Sequence, residues 1–152
     1  LYGNVKHGVL MLPDNIDVAD PNTVDMVLTF RNIHNWMARG QERIAIKAFY
    51  DMLKPGGILG VVEHRGDESV PQDPASKSGY VNESYMVQIA KEAGFILDAS
   101  SEINANSLDA KKHAEGVWTL GPTYRAQNDE QKKALSKIGE SDRFTLRFKK
   151  PL

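Results

Sequence analysis

Two short polar clusters contain most of the side chains in this sequence that could do chemistry. The first is RNIHN, residues 31–35, and the second is EHR, residues 63–65. A histidine can accept a proton near neutral pH, and an asparagine amide can orient a polar group of a ligand. The first cluster therefore predicts acid–base chemistry with His34, Asn32 and Asn35 as catalytic candidates. The alternative is that Asn35 caps a following helix and that His34 is a surface residue.

The second cluster supplies Glu63, His64 and Arg65, which we interpret as candidates for substrate contact or as a solvated group of ions. A metal site formed by His34, His64 and a carboxylate is chemically reasonable, because imidazole and carboxylate both ligate zinc and iron. However, the sequence contains neither an HxH nor an HxxxH pair. We therefore expect no metal site.

The elements that must position these clusters alternate between strands and helices. Val24–Phe30 is an apolar run of strand length, which we expect to be buried on both faces, and residues 41–53 carry apolar side chains at helical spacing. A helix is also predicted over Glu83–Ala93, with Asn82 as its N-cap and Gly94 just after its end. Further elements are predicted as strands over 58–64, 95–100 and 143–150, a weak strand over 5–12, and a helix from 128 or 129 to 138.

This order predicts an α/β fold with parallel strands, helical crossovers and a last strand that returns antiparallel at or near a sheet edge. Ligands of such sheets bind outside the carboxyl ends of the strands, which is where both polar clusters lie. The irregular segment 101–128 starts at the same edge, so it is a candidate lid. Its residues His113, Trp118 and Tyr124 are expected to anchor it, with contact to an aromatic substrate as the alternative.

The order of VDMVLTFRNIHNW, AFYDMLKPGGILGVVEH, AKEAGFIL and DRFTLRFKKP resembles the C-terminal half of class I S-adenosylmethionine-dependent methyltransferases, over roughly residues 20–152. LKPGGILGVVEH is the most specific part, and EINANSLDAKKHAEGVW with ESDRFTLRFKKP resembles a bacterial subgroup of predicted methyltransferases. The resemblance implies a Rossmann-like sheet, S-adenosylmethionine as cofactor and a small-molecule methyl acceptor. It implies that Asn32, His34 and Asn35 border the transferred methyl group and that Phe30 and Arg31 flank the cofactor. The alternative is that Phe30 is a core residue and Arg31 a surface charge.

Two cofactor-binding features of that family have no counterpart in this sequence. No GxGxG occurs, and the stretch before Val24 is too short for the family's first two strand–helix units. We therefore expect residues 1–152 to be a single partial domain that is inactive without a cofactor-binding half. Residues 4–14 would then be the remnant of a preceding strand. The free edge of the Val24–Phe30 strand would be able to pair with another chain, giving a homo-oligomer.

Composition excludes several other classes of function. The net charge of −1 argues against a nucleic-acid partner. The sequence also lacks a run of about 18 apolar residues, which would predict a membrane span. The absence of cysteine excludes disulfides, thiolate metal sites and a cysteine nucleophile, but does not decide between cytoplasm and periplasm. Two alternatives to a methyltransferase stay open: a fragment of a nucleotide-dependent oxidoreductase, and a non-catalytic binding or assembly module.

Overall fold

The computed structural model describes residues 3–16, 18–126 and 128–152. Within these residues, four strands form one mixed sheet in the order β1-β2-β4-β3. The strands are β1 (Val24–Phe30), β2 (Leu53–His64), β3 (Ile96–Ser101) and β4 (Arg143–Lys149). The helices are α1 (Ile33–Met37), α2 (Glu42–Met52), α3 (Glu83–Ala93) and α4 (Asp129–Ser136), and a single 3-10 turn spans Gly116–Thr119.

The connection between β1 and β2 is a helical crossover, and these two strands are parallel. The last strand, β4, is antiparallel to both of its neighbours, β2 and β3. The predicted parallel pair and antiparallel return are thereby confirmed. The last strand was predicted at or near an edge, and β4 lies next to the edge strand β3, in the gap that the α3 crossover leaves between β2 and β3. Its alternating apolar side chains are therefore completely buried, as shown by Phe144, Leu146 and Phe148.

Helices α2 and α3 cover one face of the sheet and form the core with it. The predicted apolar face of α2 is confirmed, since Ala45, Ala48, Phe49 and Met52 are all buried. The predicted limits of α3 are also confirmed, and Gly94 ends the helix in the left-handed conformation at φ +106°. Asn82 occupies the N-cap position, but its side chain makes no cap bond and donates to the Val70 carbonyl instead.

The other face of the sheet is uncovered at β1 among the residues that the structure describes. Met26, Leu28 and Phe30 are each more than half exposed. The prediction that this strand is buried on both faces is therefore wrong. An apolar run in the sequence does not reveal whether the layer that covers the second face of the strand comes from the same part of the chain. The predicted strand over residues 5–12 is likewise absent, and that segment makes only an isolated bridge between Met11 and Asn15.

The LKPGG motif forms an irregular start to β2. Leu53 already pairs with Val24, and the next pair is Met26 with Ile58, so residues 54–57 bulge out of the ladder. Gly56 allows this bulge because its φ is +78°. In the described part of the chain, no helix combines the length and the apolar character needed to cross a membrane.

Candidate active site at the carboxyl ends of β1 and β2

The chain turns sharply at the end of β1. Arg31 adopts φ +56°, a left-handed conformation that residues other than glycine seldom adopt. Its backbone N–H still donates to the Val62 carbonyl of β2 at 2.8 Å, so the turn lies directly on the sheet edge. Helix α1 begins two residues later at Ile33. This turn places the first polar cluster on top of β1 and next to the end of β2.

Helix α1 holds the ring of His34 against the buried carboxylate of Glu63. Nδ1 of His34 lies 3.1 Å from Oε1 of Glu63, and the backbone N–H of His34 donates to Oε2 at 3.2 Å. The backbone N–H of His64 donates to Oε1 at 2.8 Å. Three donors thus compensate the burial of a carboxylate that is 0% exposed. Because a carboxylate only accepts, Nδ1 of His34 carries a proton, and in the neutral ring Nε2 then has the lone pair.

The second histidine, His64, lies beside the first. The centroids of the two rings are 5.4 Å apart, and Nδ1 of His64 lies 2.5 Å from the Ser141 hydroxyl. Burial lowers the pKa of His64 to about 4, and the charges of His34, Arg143 and Arg31 act in the same direction against the attraction of Glu63. His64 is therefore neutral at pH 7 and is available for hydrogen bonding rather than as a charged group.

A cavity of about 330 Å³ opens above the two histidines. Its walls come from the two strand ends, the start of α1, the start of β4, the 3-10 turn and the segment after that turn. The lining residues are Phe30, Arg31, Asn32, His34, His64, Val117, Trp118, Gly121, Pro122, Thr123 and Arg143. Segment 101–128 therefore contributes to the cavity wall, while its movement as a lid stays a prediction. Trp118 meets the His34 ring edge-on, with centroids 5.9 Å apart.

Five of the eight residues predicted for the site share this cavity, namely Phe30, Arg31, Asn32, His34 and His64. Glu63 lies beneath it and reaches the cavity only through His34. Asn35 is exposed on α1, where its amide donates to the Arg31 carbonyl at 3.3 Å, so it neither lines the cavity nor caps the helix. Arg65 also lies outside the lining and pairs with Glu102 at 2.7 Å.

Arg143 and Ser141 were not predicted from the sequence, and Trp118 was expected to anchor its segment, with substrate contact as the alternative. Arg143 reaches the site because it pairs with His64 in the β2–β4 ladder. That register exists only because β4 is inserted next to β2. The antiparallel return of the last strand, which the sequence does indicate, was the available signal for these residues.

His34, Glu63 and His64 are also the described residues that could together hold a metal ion. Each offers a ligand atom, and these atoms lie within 4.8 Å of one another. Both carboxylate oxygens of Glu63 already accept N–H groups, however. The positive charges of Arg31 and Arg143 act on the same site. The arrangement suits hydrogen-bonded imidazoles better than a divalent cation, and the absence of a metal site stays a prediction.

A larger cleft, of about 730 Å³, runs along α3 and contains none of the catalytic candidates. It is lined by exposed or half-exposed helix residues and by the loop before the helix, which are Glu68, Glu83, Ser84, Val87, Gln88, Lys91 and Glu92. No ring nitrogen or strand end reaches this cleft. The smaller cavity at the strand ends is therefore the better candidate for an active site.

Solved structures with the same fold are S-adenosylmethionine-dependent methyltransferases and a related cyclase. The [4+2]-cyclase SpnF matches with a TM-score of 0.57 and 16% identity, over 88% of this chain and 52% of that one. A methyltransferase of Methanosarcina mazei matches with a TM-score of 0.53 and 14% identity, over 88% and 62% of the two chains. The 1,6-didemethyltoxoflavin-N1-methyltransferase of Burkholderia thailandensis matches with a TM-score of 0.53 and 12% identity, over 90% of this chain and 48% of that one.

These likenesses show the fold, which is that of class I S-adenosylmethionine-dependent methyltransferases. The chain spans about half to three fifths of the length of these structures. No protein-family model and no curated protein matches the sequence. The resemblance seen in the sequence is confirmed as a fold, while the bacterial subgroup stays a prediction.

Proposed function

We propose that this chain is the substrate-facing part of an S-adenosylmethionine-dependent methyltransferase that acts on a small molecule. The observation that carries the proposal is the His34–Glu63 pair, with Nδ1 and Oε1 3.1 Å apart, at the carboxyl ends of two parallel strands in this fold. Such a pair leaves Nε2 of His34 as the ring nitrogen free to accept a proton. The surrounding cavity, at about 330 Å³, has the volume of a small-ligand site.

The proposed chemistry needs one proton acceptor on the protein. S-adenosylmethionine would supply an electrophilic methyl group, which passes to an oxygen or nitrogen of the acceptor. His34 would take the proton from that atom through Nε2 as the new bond forms. Glu63 would stabilise the resulting imidazolium through Nδ1, and Asn32 would orient the acceptor. Trp118, against the His34 ring, would help to exclude water.

The residues present fit part of a cofactor site. Phe30 and Arg31 line the cavity and would flank the cofactor. A glycine-rich loop is absent from the sequence. We therefore propose that a further segment binds the rest of the cofactor and covers the apolar face at Met26, Leu28 and Phe30. In its absence the 152-residue chain would be inactive, and the free edge of β1 would favour self-association.

The proposed acceptor is a small molecule rather than a macromolecule. The structure of the Burkholderia enzyme contains 1,6-didemethyltoxoflavin and S-adenosylhomocysteine, which supports a small ligand for this fold. The net charge of −1 argues against a nucleic-acid acceptor. A second candidate is a reaction without methyl transfer, because the same fold serves a [4+2]-cyclase.

Calorimetric titration with S-adenosylhomocysteine tests the proposal. The samples are the 152-residue chain and the protein expressed from the whole open reading frame that encodes it. We expect saturable binding by the second protein and weak or no binding by the first. Absence of binding by both would contradict the proposal and favour a binding or assembly module.

Two variants refine this test in the protein from the whole reading frame. Phe30→Ala should weaken binding of S-adenosylhomocysteine, because Phe30 lines the cavity and is proposed to flank the cofactor. His34→Gln should leave that binding intact and abolish consumption of S-adenosylmethionine. A reaction that proceeds while S-adenosylmethionine is not consumed would favour the cyclase type instead.

A further inference from the structure

Two arginines lie at the border between the candidate active site and a second cavity. Arg31 and Arg143 line the 330 Å³ cavity and also an adjoining one of about 440 Å³. The lining of the second cavity is Phe30, Arg31, Val62, Asn104, Pro122, Glu140 and Arg143. One guanidinium follows β1 and the other begins β4, so two separate parts of the chain bring positive charge to the same opening.

Neither guanidinium has all of its donors satisfied by the protein. The side chain of Arg31 makes no hydrogen bond or ion pair with any residue the structure describes. Arg143 pairs with Glu140 through Nη2, but its Nε is buried without a hydrogen-bond partner. A buried N–H without an acceptor carries a free-energy cost, which an incoming acceptor would remove.

The carboxylates around the opening do not engage all donors of the two arginines. Glu140 pairs with Arg143 and is more than half exposed. The carboxylate of Glu63 is occupied by three N–H donors from His34 and His64. His64 contributes no negative charge in either protonation state. The opening therefore keeps unused donors, on the guanidinium of Arg31, which is unpaired among the described residues, and on Nε of Arg143.

We propose that Arg31 and Arg143 bind an anionic group, a carboxylate or a phosphate, on the molecule that enters the cavity. Guanidinium groups match both anions because their parallel N–H donors can engage two oxygens at once. Phe30, which is 57% exposed, and Trp118 offer aromatic surface in the same cavity for the rest of the molecule. The ligand class is a small organic anion with a flat apolar body. Its identification as the methyl acceptor rests on the proposed function, whereas anion binding does not.

Calorimetric titration of the 152-residue chain at low ionic strength with benzoate, phenyl phosphate and the neutral analogue benzamide tests this proposal. We expect benzoate or phenyl phosphate to bind, and the tighter of the two identifies the anion. Benzamide should bind at least about tenfold more weakly, since one charge-assisted hydrogen bond accounts for roughly that factor. Equal binding of benzamide and benzoate would overturn the proposal.

The variants are Arg31→Gln and Arg143→Gln, with Arg39→Gln as the matched control. Arg39 is exposed, lies outside both cavities and has no side-chain partner among the described residues. Arg31→Gln should weaken anion binding at least about tenfold. Arg143→Gln should have the same effect, provided that its melting curve shows a folded protein. Arg39→Gln should leave anion binding unchanged. Arg31→Gln carries the test alone if Arg143→Gln unfolds. Equal affinities of Arg31→Gln and Arg39→Gln would overturn the proposal.

Competition separates the acceptor from the cofactor as the source of the anion. In the protein from the whole reading frame, S-adenosylhomocysteine should leave benzoate binding in place. Displacement of benzoate would assign the arginines to the cofactor's carboxylate and overturn the acceptor assignment. Benzoate binding through Arg31 without any binding of S-adenosylhomocysteine would keep the anion site and refute the proposed function. Binding of S-adenosylhomocysteine without binding of benzoate would refute only the anion site.

Discussion

His34 and Glu63 are 29 positions apart in the chain, yet Nδ1 of His34 lies 3.1 Å from Oε1 of Glu63 and both side chains are buried. The pair joins the turn after β1 to the end of β2. It fixes the orientation of an imidazole that lines a cavity. The same carboxylate accepts two backbone N–H groups, so it serves the fold and the site together.

Glu63→Gln should destabilise the fold. A glutamine presents one acceptor oxygen and one NH₂ group, so at least one of the three buried N–H donors would lose its acceptor. We expect the free energy of unfolding in urea to fall by about 1–3 kcal/mol. Glu130→Gln is the control, because Glu130 is exposed on α4 and should change stability by less than about 0.5 kcal/mol. Equal stabilities of the two variants would contradict the role assigned to Glu63.

Stability should fall in mild acid because of His64. Its pKa in the folded protein is lowered to about 4 by burial, whereas an unfolded histidine titrates near 6.5. Between these two values the unfolded chain binds a proton that the folded chain does not. The full stability is therefore present above about pH 6.5 and declines as the pH falls towards 4, by up to about 3 kcal/mol.

Urea unfolding at several pH values across that window, on the wild type and on His64→Gln, checks this expectation. The variant lacks the titrating group, so its unfolding free energy should depend less on pH than that of the wild type. His7 and His113, which do not contact His64, are present in both proteins and cancel in the comparison. Parallel pH profiles would contradict the assignment to His64.

Local patterns explain why much of the fold was predictable. Helix α2 has its apolar residues at helical spacing, and α3 ends at Gly94, so both follow from neighbouring residues. The position of β4 depends on contacts such as that between His64 and Ser141, which are 77 positions apart. Sequence periodicity carries no information about such sheet order, and Arg143 was missed for that reason. The exposed face of β1 was missed because an apolar strand looks the same with or without a covering layer.

The chain should not bind zinc tightly. Glu63 is occupied by N–H donors, and Arg31 and Arg143 make the site less favourable for a cation. We expect zinc chloride to leave the thermal unfolding temperature unchanged. A rise in that temperature that disappears in both His34→Ala and His64→Ala would show that a metal site exists.

The 152-residue chain should associate at high concentration through β1. This strand pairs only with β2 among the described residues, and Met26, Leu28 and Phe30 are 51–57% exposed. Leu28→Lys should reduce association, since a charged residue on an apolar edge strand opposes pairing. Sedimentation velocity over a range of concentrations measures the effect. Val70→Lys is the control, because Val70 is equally exposed at 54% but lies in a loop.

A monomeric wild type at every concentration would contradict this expectation. Association that persists in Leu28→Lys and disappears in Val70→Lys would place the contact on the loop side instead. Either result would leave the His34–Glu63 pair untouched, because its contacts lie within one chain.

The tautomer of His34 tests the central claim most directly. Glu63 holds Nδ1, so the base proposed for methyl transfer is a neutral imidazole with its proton on Nδ1 and a bare Nε2. Nuclear magnetic resonance of the ¹⁵N-histidine-labelled chain, assigned by comparison with His34→Gln, reports which nitrogen carries the proton at mildly alkaline pH. The account predicts protonation at Nδ1. A proton on Nε2 in the wild type would contradict it.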